Sequence, residues 1–194
     1  MNSRKIKEAE KNRQIEENIQ NALNPLVEDG TFHDMSIREI CEAIGITTGM
    51  FYRHYRSKND ILALNYIQRL TRLLEEIDEM LTGKDGKEQL VILMTEVART
   101  YSYLGPDGIL MFISNENDKC DCSIPRSMTD AKICEIIQRT KLAPPFGYTL
   151  QNICDDMTVL SKGISFEWYT KRESYNYIEE TERMFRNMID SIFD

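Results

Sequence analysis

Hydrophobic residues recur along this chain at intervals of three and four, the spacing that lines up one face of an α-helix, and nowhere alternate strictly as a half-buried strand would. Ile6, Ala9, Ile15, Ile19, Ala22, Leu23, Leu26 and Val27 keep that spacing up to the stop signal Asp29-Gly30, which predicts a long opening helix. Pro25 lacks the backbone N–H and clashes with the preceding turn, so a kink or break is expected near Asn24. The next helix opens on a capping box, Ser36 with Glu39, and runs through Ile37, Ile40, Cys41 and Ile44 to Gly45. Thr47 offers a new N-cap for a short helix from about Thr48 to near Tyr55, and Ser57 to Asp60 starts another, whose stripe is Ile61, Leu64, Ile67, Leu70, Leu74, Ile77 and Leu81.

Beyond a loop at Thr82 to Lys87, the stripe Leu90, Leu93, Met94, Val97, Ala98 and Tyr101 predicts a helix ending near Leu104, broken by Gly105-Pro106. A short helix is expected over Asp107 to Asn115, a surface loop over Asn115 to Ser123, and a helix over Pro125 to Lys141 with Met128, Ile133, Ile136 and Ile137 inward. Leu150, Ile153, Met157, Leu160, Ile164 and Trp168 then mark one long helix, and Tyr175, Ile178, Phe185, Met188, Ile189 and Ile192 another. The expectation is an all-α protein of about nine helices.

Composition changes little in this picture and narrows the function. With 41% hydrophobic and 29% charged residues, the chain reads as an ordinary globular protein. No run approaches the ~18 to 20 apolar residues that cross a bilayer, and Met1 to Arg13 is polar, so a cytoplasmic location without a membrane partner is expected. The net charge of −8 is unevenly spread: residues 1–60 carry 9 basic and 10 acidic side chains, residues 61–194 carry 15 and 22. Phosphate binding depends on where the cations lie, so the acid of the second part does not exclude DNA binding by the first.

The five cysteines are odd in number and follow no disulfide framework, as in a reducing compartment. Cys120-x-Cys122 lies in an acidic run, but two thiols cannot close a tetrahedral site and neither histidine is near in sequence, so no metal is expected; Cys134 and Cys154 read as small core residues. The chain has no phosphate-cradling glycine loop, no H-E-x-x-H and no nucleophile elbow, so neither enzyme activity nor a cofactor is expected.

The segment Ser36 to Tyr55 carries the functional argument. A helix-turn-helix needs a small residue where the second helix crosses the first, a glycine at the turn and an apolar residue after it; Cys41, Gly45 and Ile46 fill those places, and Phe51 and Tyr55 are spaced to anchor the second helix inward. The string SIREICEAIGITTGMFYRHY from Ser36 to Tyr55, continued by Arg56-Ser57-Lys58-Asn59-Asp60-Ile61-Leu62, resembles the DNA-binding signature of the TetR family of repressors. It departs from the family pattern at Cys41, where Ala is more usual, at Thr48 and Met50, and at Pro25. The rest of the chain is similar in general form, with Gly163, Trp168 and Tyr175 in a pattern shared by some members.

The resemblance implies a three-helix DNA-binding domain over residues 1–60 and a C-terminal ligand-binding and dimerisation domain over 61–194. Thr47, Thr48, Gly49 and Met50 would approach base edges in the major groove; Tyr52, His54 and Lys58 would reach phosphates, helped by Ser36 and Arg38 at the start of the preceding helix. Arg4, Lys5 and Lys7 would form an arm along the duplex. One reading head covers only a half-site, so a homodimer on a palindromic double-stranded operator is implied. Leu160, Gly163, Ile164, Trp168, Phe185, Met188 and Ile189 are the candidate interface, although the same stripes also suit the chain's own core. Met94, Tyr101, Met111, Phe112, Met157 and Trp168 are the candidate walls of a pocket for an unknown small-molecule effector, and each suits ordinary core as well. The alternative is a helix-turn-helix protein that binds another protein or activates transcription without a small-molecule ligand, favoured by the near-neutral N-terminal segment.

Overall fold

In a computed structural model, residues 3–28, 30–105, 108–109, 123–171 and 174–193 are described. They form α1 (Ser3–Glu28), a 3-10 turn (Thr31–His33), α2 (Ile37–Ile44), α3 (Thr48–His54), α4 (Lys58–Leu81), α5 (Gly86–Ser102), α6 (Ser123–Thr140), α7 (Leu150–Thr170) and α8 (Tyr177–Phe193). No strand occurs among the described residues. The architecture is all-α, as the periodicity predicts, and the chain divides into two compact units, Met1–Asn65 and Tyr66–Asp194, with α4 continuous across the division.

In the first unit, α1 continues through Pro25 and is not broken near Asn24 as expected. Pro25 falls in the last turn, where it removes only the bond to the carbonyl of Asn21, an exposed residue with access to water. Leu23 and Val27, fully buried on either side of it, hold the helix direction. Residues 4, 5 and 7 belong to this helix too, so the expected arm of Arg4, Lys5 and Lys7 is instead the first turns of α1. Asn65 donates its side-chain amide to the Asn24 side-chain carbonyl, tying α4 to α1. Ile19, Leu23, Val27, Phe32, Ile40, Phe51, Tyr55 and Ile61 make the core of this unit.

The second unit is built on α5 and α8. Arg186 on α8 places its guanidinium on both Glu88 oxygens, at 2.5 and 3.2 Å, and that neighbour is the main cause that holds the Glu88 carboxyl below its ordinary range. Leu90, Leu93, Phe185 and Ile189 are buried completely between the polar faces. α6 is fastened by charge. Lys132, buried, donates to Asp78 of α4 at 2.8 Å and to Glu135 at 3.1 Å, while Arg139 reaches Asp78 at 3.1 Å and the Gln89 amide oxygen at 2.8 Å. A buried ammonium left without these partners is costly, so the cluster fixes the register of α6 against α4 and α5.

Gly86 opens α5 where the end of α6 passes. A Cβ there would fall inside contact distance of Thr140 Oγ1 and 2.8 Å from Leu142 Cγ. Gly86→Ala is therefore expected to lower stability by about 1 to 3 kcal/mol through overpacking, measured by urea unfolding of the whole chain. An unchanged midpoint would mean that the α5–α6 contact is looser than described.

Candidate nucleic-acid interface

The first unit presents α3 through local geometry that the sequence specifies residue by residue. The Ser36 hydroxyl accepts from the Glu39 N–H at 3.3 Å, and the Glu39 carboxylate accepts from the Ser36 N–H at 2.7 Å, closing the capping box that starts α2. Those bonds hold the Glu39 carboxyl below its ordinary value, the backbone N–H of Ser36 first. Gly45 ends α2 with a left-handed backbone at φ 73°, and the Ile46 N–H returns to the Cys41 carbonyl at 2.9 Å. The Thr47 hydroxyl then accepts from the Met50 N–H at 3.1 Å and starts α3.

α3 has a buried side and an open side. Phe51 and Tyr55 are fully buried, with ring centroids 5.6 Å apart, and Cys41 on α2 is buried as well. The Tyr55 hydroxyl accepts from Gln20 of α1 at 3.3 Å, and burial pushes its acidity down, so it stays a phenol. On the open side Thr47, Thr48, Gly49, Tyr52 and Arg53 are exposed, Tyr52 at 58%. Met50 is half-buried. The leading edge of the helix thus faces outward, with Tyr52 edge-on to the Phe51 ring at 5.3 Å, as a groove-reading helix requires.

The residues with expected phosphate roles divide. Ser36 and Arg38 are exposed at the start of α2, with Arg38 bonded to Glu42 at 3.0 Å. His54 turns inward: its Nδ1 lies 3.1 Å from a Glu16 oxygen of α1 and its side chain is 6% exposed. Lys58 is half-buried; it donates to the Met35 carbonyl at 2.7 Å and lies 5.1 Å over the Phe32 ring. Burial is the main cause that lowers the Lys58 pKa, opposed by Asp34 and Glu39. Both side chains thus have partners within the first unit. Arg53, not among the expected contacts, is exposed and lies four residues after Gly49, hence on the same face; that spacing was the available signal.

In the second unit, Met94, Met157 and Trp168 are buried, while the Tyr101 side chain, Met111, Phe112, Cys120, Cys122 and the segment Asp107 to Ser123 expected as helix and loop fall wholly or mainly outside the described residues. Of the candidate interface residues, Ile164, Trp168, Phe185 and Ile189 are buried in the chain's own core; Leu160 and Met188 are half-buried and Gly163 is exposed. Trp168 stacks on Tyr177 with centroids 4.8 Å apart, and the Tyr177 hydroxyl meets Ser165 Oγ at 2.8 Å. Beside Gly163 the same helix leaves Val159 and Phe166 open, at 69% and 49% exposure.

Residues 23–64 match the family model of bacterial regulatory proteins, tetR family. Residues 23–64 thus carry the DNA-binding segment of the TetR family. The match spans the end of α1, the helix-turn-helix and the first turns of α4. Among solved structures, the transcriptional regulator FadR from Bacillus subtilis, in complex with stearoyl-CoA, is 16% identical over 89% of this chain and 96% of its own, with a TM-score of 0.59. The fatty acid degradation regulator FadR from Bacillus halodurans is 12% identical over 88% of this chain and 97% of its own, with a TM-score of 0.58. At those identities the likeness establishes the fold. No curated protein sequence matches the chain. The matched segment is the one with which bacterial regulators of that family bind DNA.

The capping box gives a pH test. Because the folded Glu39 carboxyl has the lower pKa, its contribution to stability is present above the ordinary glutamate range and is lost as pH falls through the folded value. Glu39→Gln, which keeps an acceptor for the Ser36 N–H but removes the titrating carboxyl, is expected to destabilise the protein at neutral pH and to flatten the acid side of its stability curve. Thermal unfolding of both proteins between neutral and acid pH checks this, and parallel curves would contradict it.

Proposed function

We propose that the protein is a repressor that binds a palindromic operator as a homodimer and leaves it when a small molecule enters the second unit. The observation that carries the DNA reading is the outward leading edge of α3, with Thr47, Thr48, Gly49, Tyr52 and Arg53 exposed above buried anchors. In this reading Thr47, Thr48 and Gly49 meet base edges and Met50 offers an apolar contact, for example to a thymine methyl. Tyr52 and Arg53 take phosphates on one side. Ser36, Arg38 and the free N–H groups of the first turn of α2 take one on the other. His54 and Lys58 contribute by holding α3 to its neighbours, given the partners they already have.

The homodimer reading uses the open face of α7. Val159, Gly163 and Phe166 recur at four and three residues on that face, with half-buried Leu160 beside them and Met188 on α8. Four such helices from two copies would form a bundle, Gly163 allowing the close approach. Ile164, Trp168, Phe185 and Ile189 then support the face from within. The effector would act through α4, which continues from the first unit into the second, by favouring a state with lower operator affinity. FadR from Bacillus subtilis takes stearoyl-CoA in this fold, which makes a long-chain acyl thioester the first effector to try. No described helix is long and apolar enough to cross a membrane, which is compatible with a site of action at cytoplasmic DNA.

The test is an electrophoretic mobility shift on DNA from upstream of the gene. A sequence-specific shift that weakens steeply with salt is expected; a salt-insensitive or sequence-indifferent shift would favour the protein-interaction alternative. Arg53→Ala is expected to weaken binding across sequences and to reduce the salt slope by about one for each phosphate left unneutralised, and Tyr52→Ala to weaken binding without altering the oligomer. Equal affinity in both variants would refute the docking. Separately, Val159→Glu is expected to give a folded monomer in sedimentation, since the residue is too exposed to carry the core; a persistent dimer would move the interface elsewhere.

A further inference from the structure

Away from the reading head, α6 and α7 bring together two cysteines separated by twenty residues of sequence. The Sγ atoms of Cys134 and Cys154 lie 3.9 Å apart, in contact but not bonded, and both thiols are free. Their surroundings differ. Cys134 is half-buried and therefore reachable from solvent, whereas Cys154 is 1% exposed and donates its S–H to the Asp130 carbonyl oxygen at 3.9 Å. Burial first, then the nearby Asp130 carboxylate, pushes the Cys154 thiol up to about 12. A buried, fully protonated thiol is inert towards oxidants on its own. Held against a thiol that solvent can reach, it has a reaction partner. Among the described residues no third His, Cys, Asp or Glu joins them in a metal-holding group, so the pair is suited to covalent chemistry rather than to coordination.

We propose that Cys134 and Cys154 form an oxidisable dithiol, which a hydroperoxide converts into a disulfide that pins α6 to α7, with Cys134 attacking and Cys154 resolving. The Cys134 thiolate attacks one peroxide oxygen; the S–O bond forms, the O–O bond breaks, and the departing oxygen leaves as water after taking a proton. Cys154 Sγ then attacks the Cys134 sulfenic sulfur; the S–S bond forms, the S–O bond breaks, and the hydroxide leaves as water with the proton that Cys154 gives up. Two thiols are oxidised by two electrons and one hydrogen peroxide is reduced to two waters. Because a disulfide holds its sulfurs at about 2 Å, each has to move by roughly 1 Å, which rotation about the two Cα–Cβ bonds supplies. In a reducing compartment the pair rests as dithiol, and the bond forms only when peroxide outruns the thiol reductants. The cross-link closes the loop over 135–153, which includes Pro144-Pro145 and the fully exposed Phe146, and so gives the second unit an input independent of any effector.

The experiment uses the full-length reduced protein, treated with hydrogen peroxide, alkylated, digested with trypsin and mapped by mass spectrometry. Trypsin separates the relevant thiols, Cys134 in 133–139 and Cys154 in 142–162, from Cys41 in 39–53 and from Cys120 and Cys122 in 120–126. The expected result is a joined 133–139/142–162 pair, lighter by two hydrogens than the separate peptides and released by dithiothreitol. In Cys154→Ser the reaction should stop at a Cys134 sulfenic acid that dimedone traps, and in Cys134→Ser the Cys154 thiol should survive unmodified. Over-oxidation of Cys134 beside a free Cys154 in the unaltered protein would overturn the proposal. So would a disulfide from either residue to Cys41, Cys120 or Cys122, or two intact thiols at a peroxide level that oxidises free cysteine. The mapping is read on the unaltered chain, so it does not depend on either variant folding.

Discussion

A helix of seven residues is too short to persist in water, because the cost of nucleating it exceeds what so few hydrogen bonds return. α3 is such a helix, Thr48–His54, and everything the protein does at DNA requires it to be present before the duplex arrives. Its stability is borrowed. Thr47 supplies the cap, the left-handed Gly45 supplies the turn, and Phe51 and Tyr55 are driven into a core whose other walls come from α1, α2 and α4. Two polar ties to α1, from Gln20 to Tyr55 and from Glu16 to His54, fix its rotation, so its open edge is set by groups on the opposite, inward side of the helix.

The local elements of this reading head were legible in the sequence because each depends on one or two residue types at fixed offsets. Ser36 with Glu39 forms the box, Gly45 adopts positive φ, Thr47 caps, and Phe51 and Tyr55 point inward, all as their spacing predicts. Pro25 misled because propensity describes an isolated helix; with the missing bond at an exposed turn and Leu23 and Val27 buried on both sides, tertiary packing prevails. The intramolecular partners of His54 and Lys58 were not legible for another reason. A polar side chain's partners are a matter of three dimensions, and Glu16 lies 38 residues and Met35 lies 23 residues away from the side chains that find them.

Periodicity also has a limit in the second unit. It identifies which face of α7 is apolar, but an apolar face serves a core and a contact with another copy equally well. Burial separates the two: Ile164 and Trp168 belong to the chain itself, and Val159 and Phe166 are left over, on a face the sequence pattern had passed by because only two large apolar residues mark it. The pairing of Cys134 with Cys154 is similar. Read singly in the sequence each is a small core side chain, whereas Cys134 is only half-buried and the crossing of α6 and α7 makes the two neighbours.

The alternation along α3 has a consequence for how such a protein changes over time. Residues that hold the helix, Phe51 and Tyr55, are interleaved with residues that face outward, Thr48, Gly49, Tyr52 and Arg53, and no outward one is needed by the core. Substitutions on an exposed face usually cost little stability. The outward face can therefore drift, or be re-engineered, one position at a time on a scaffold that stays folded throughout.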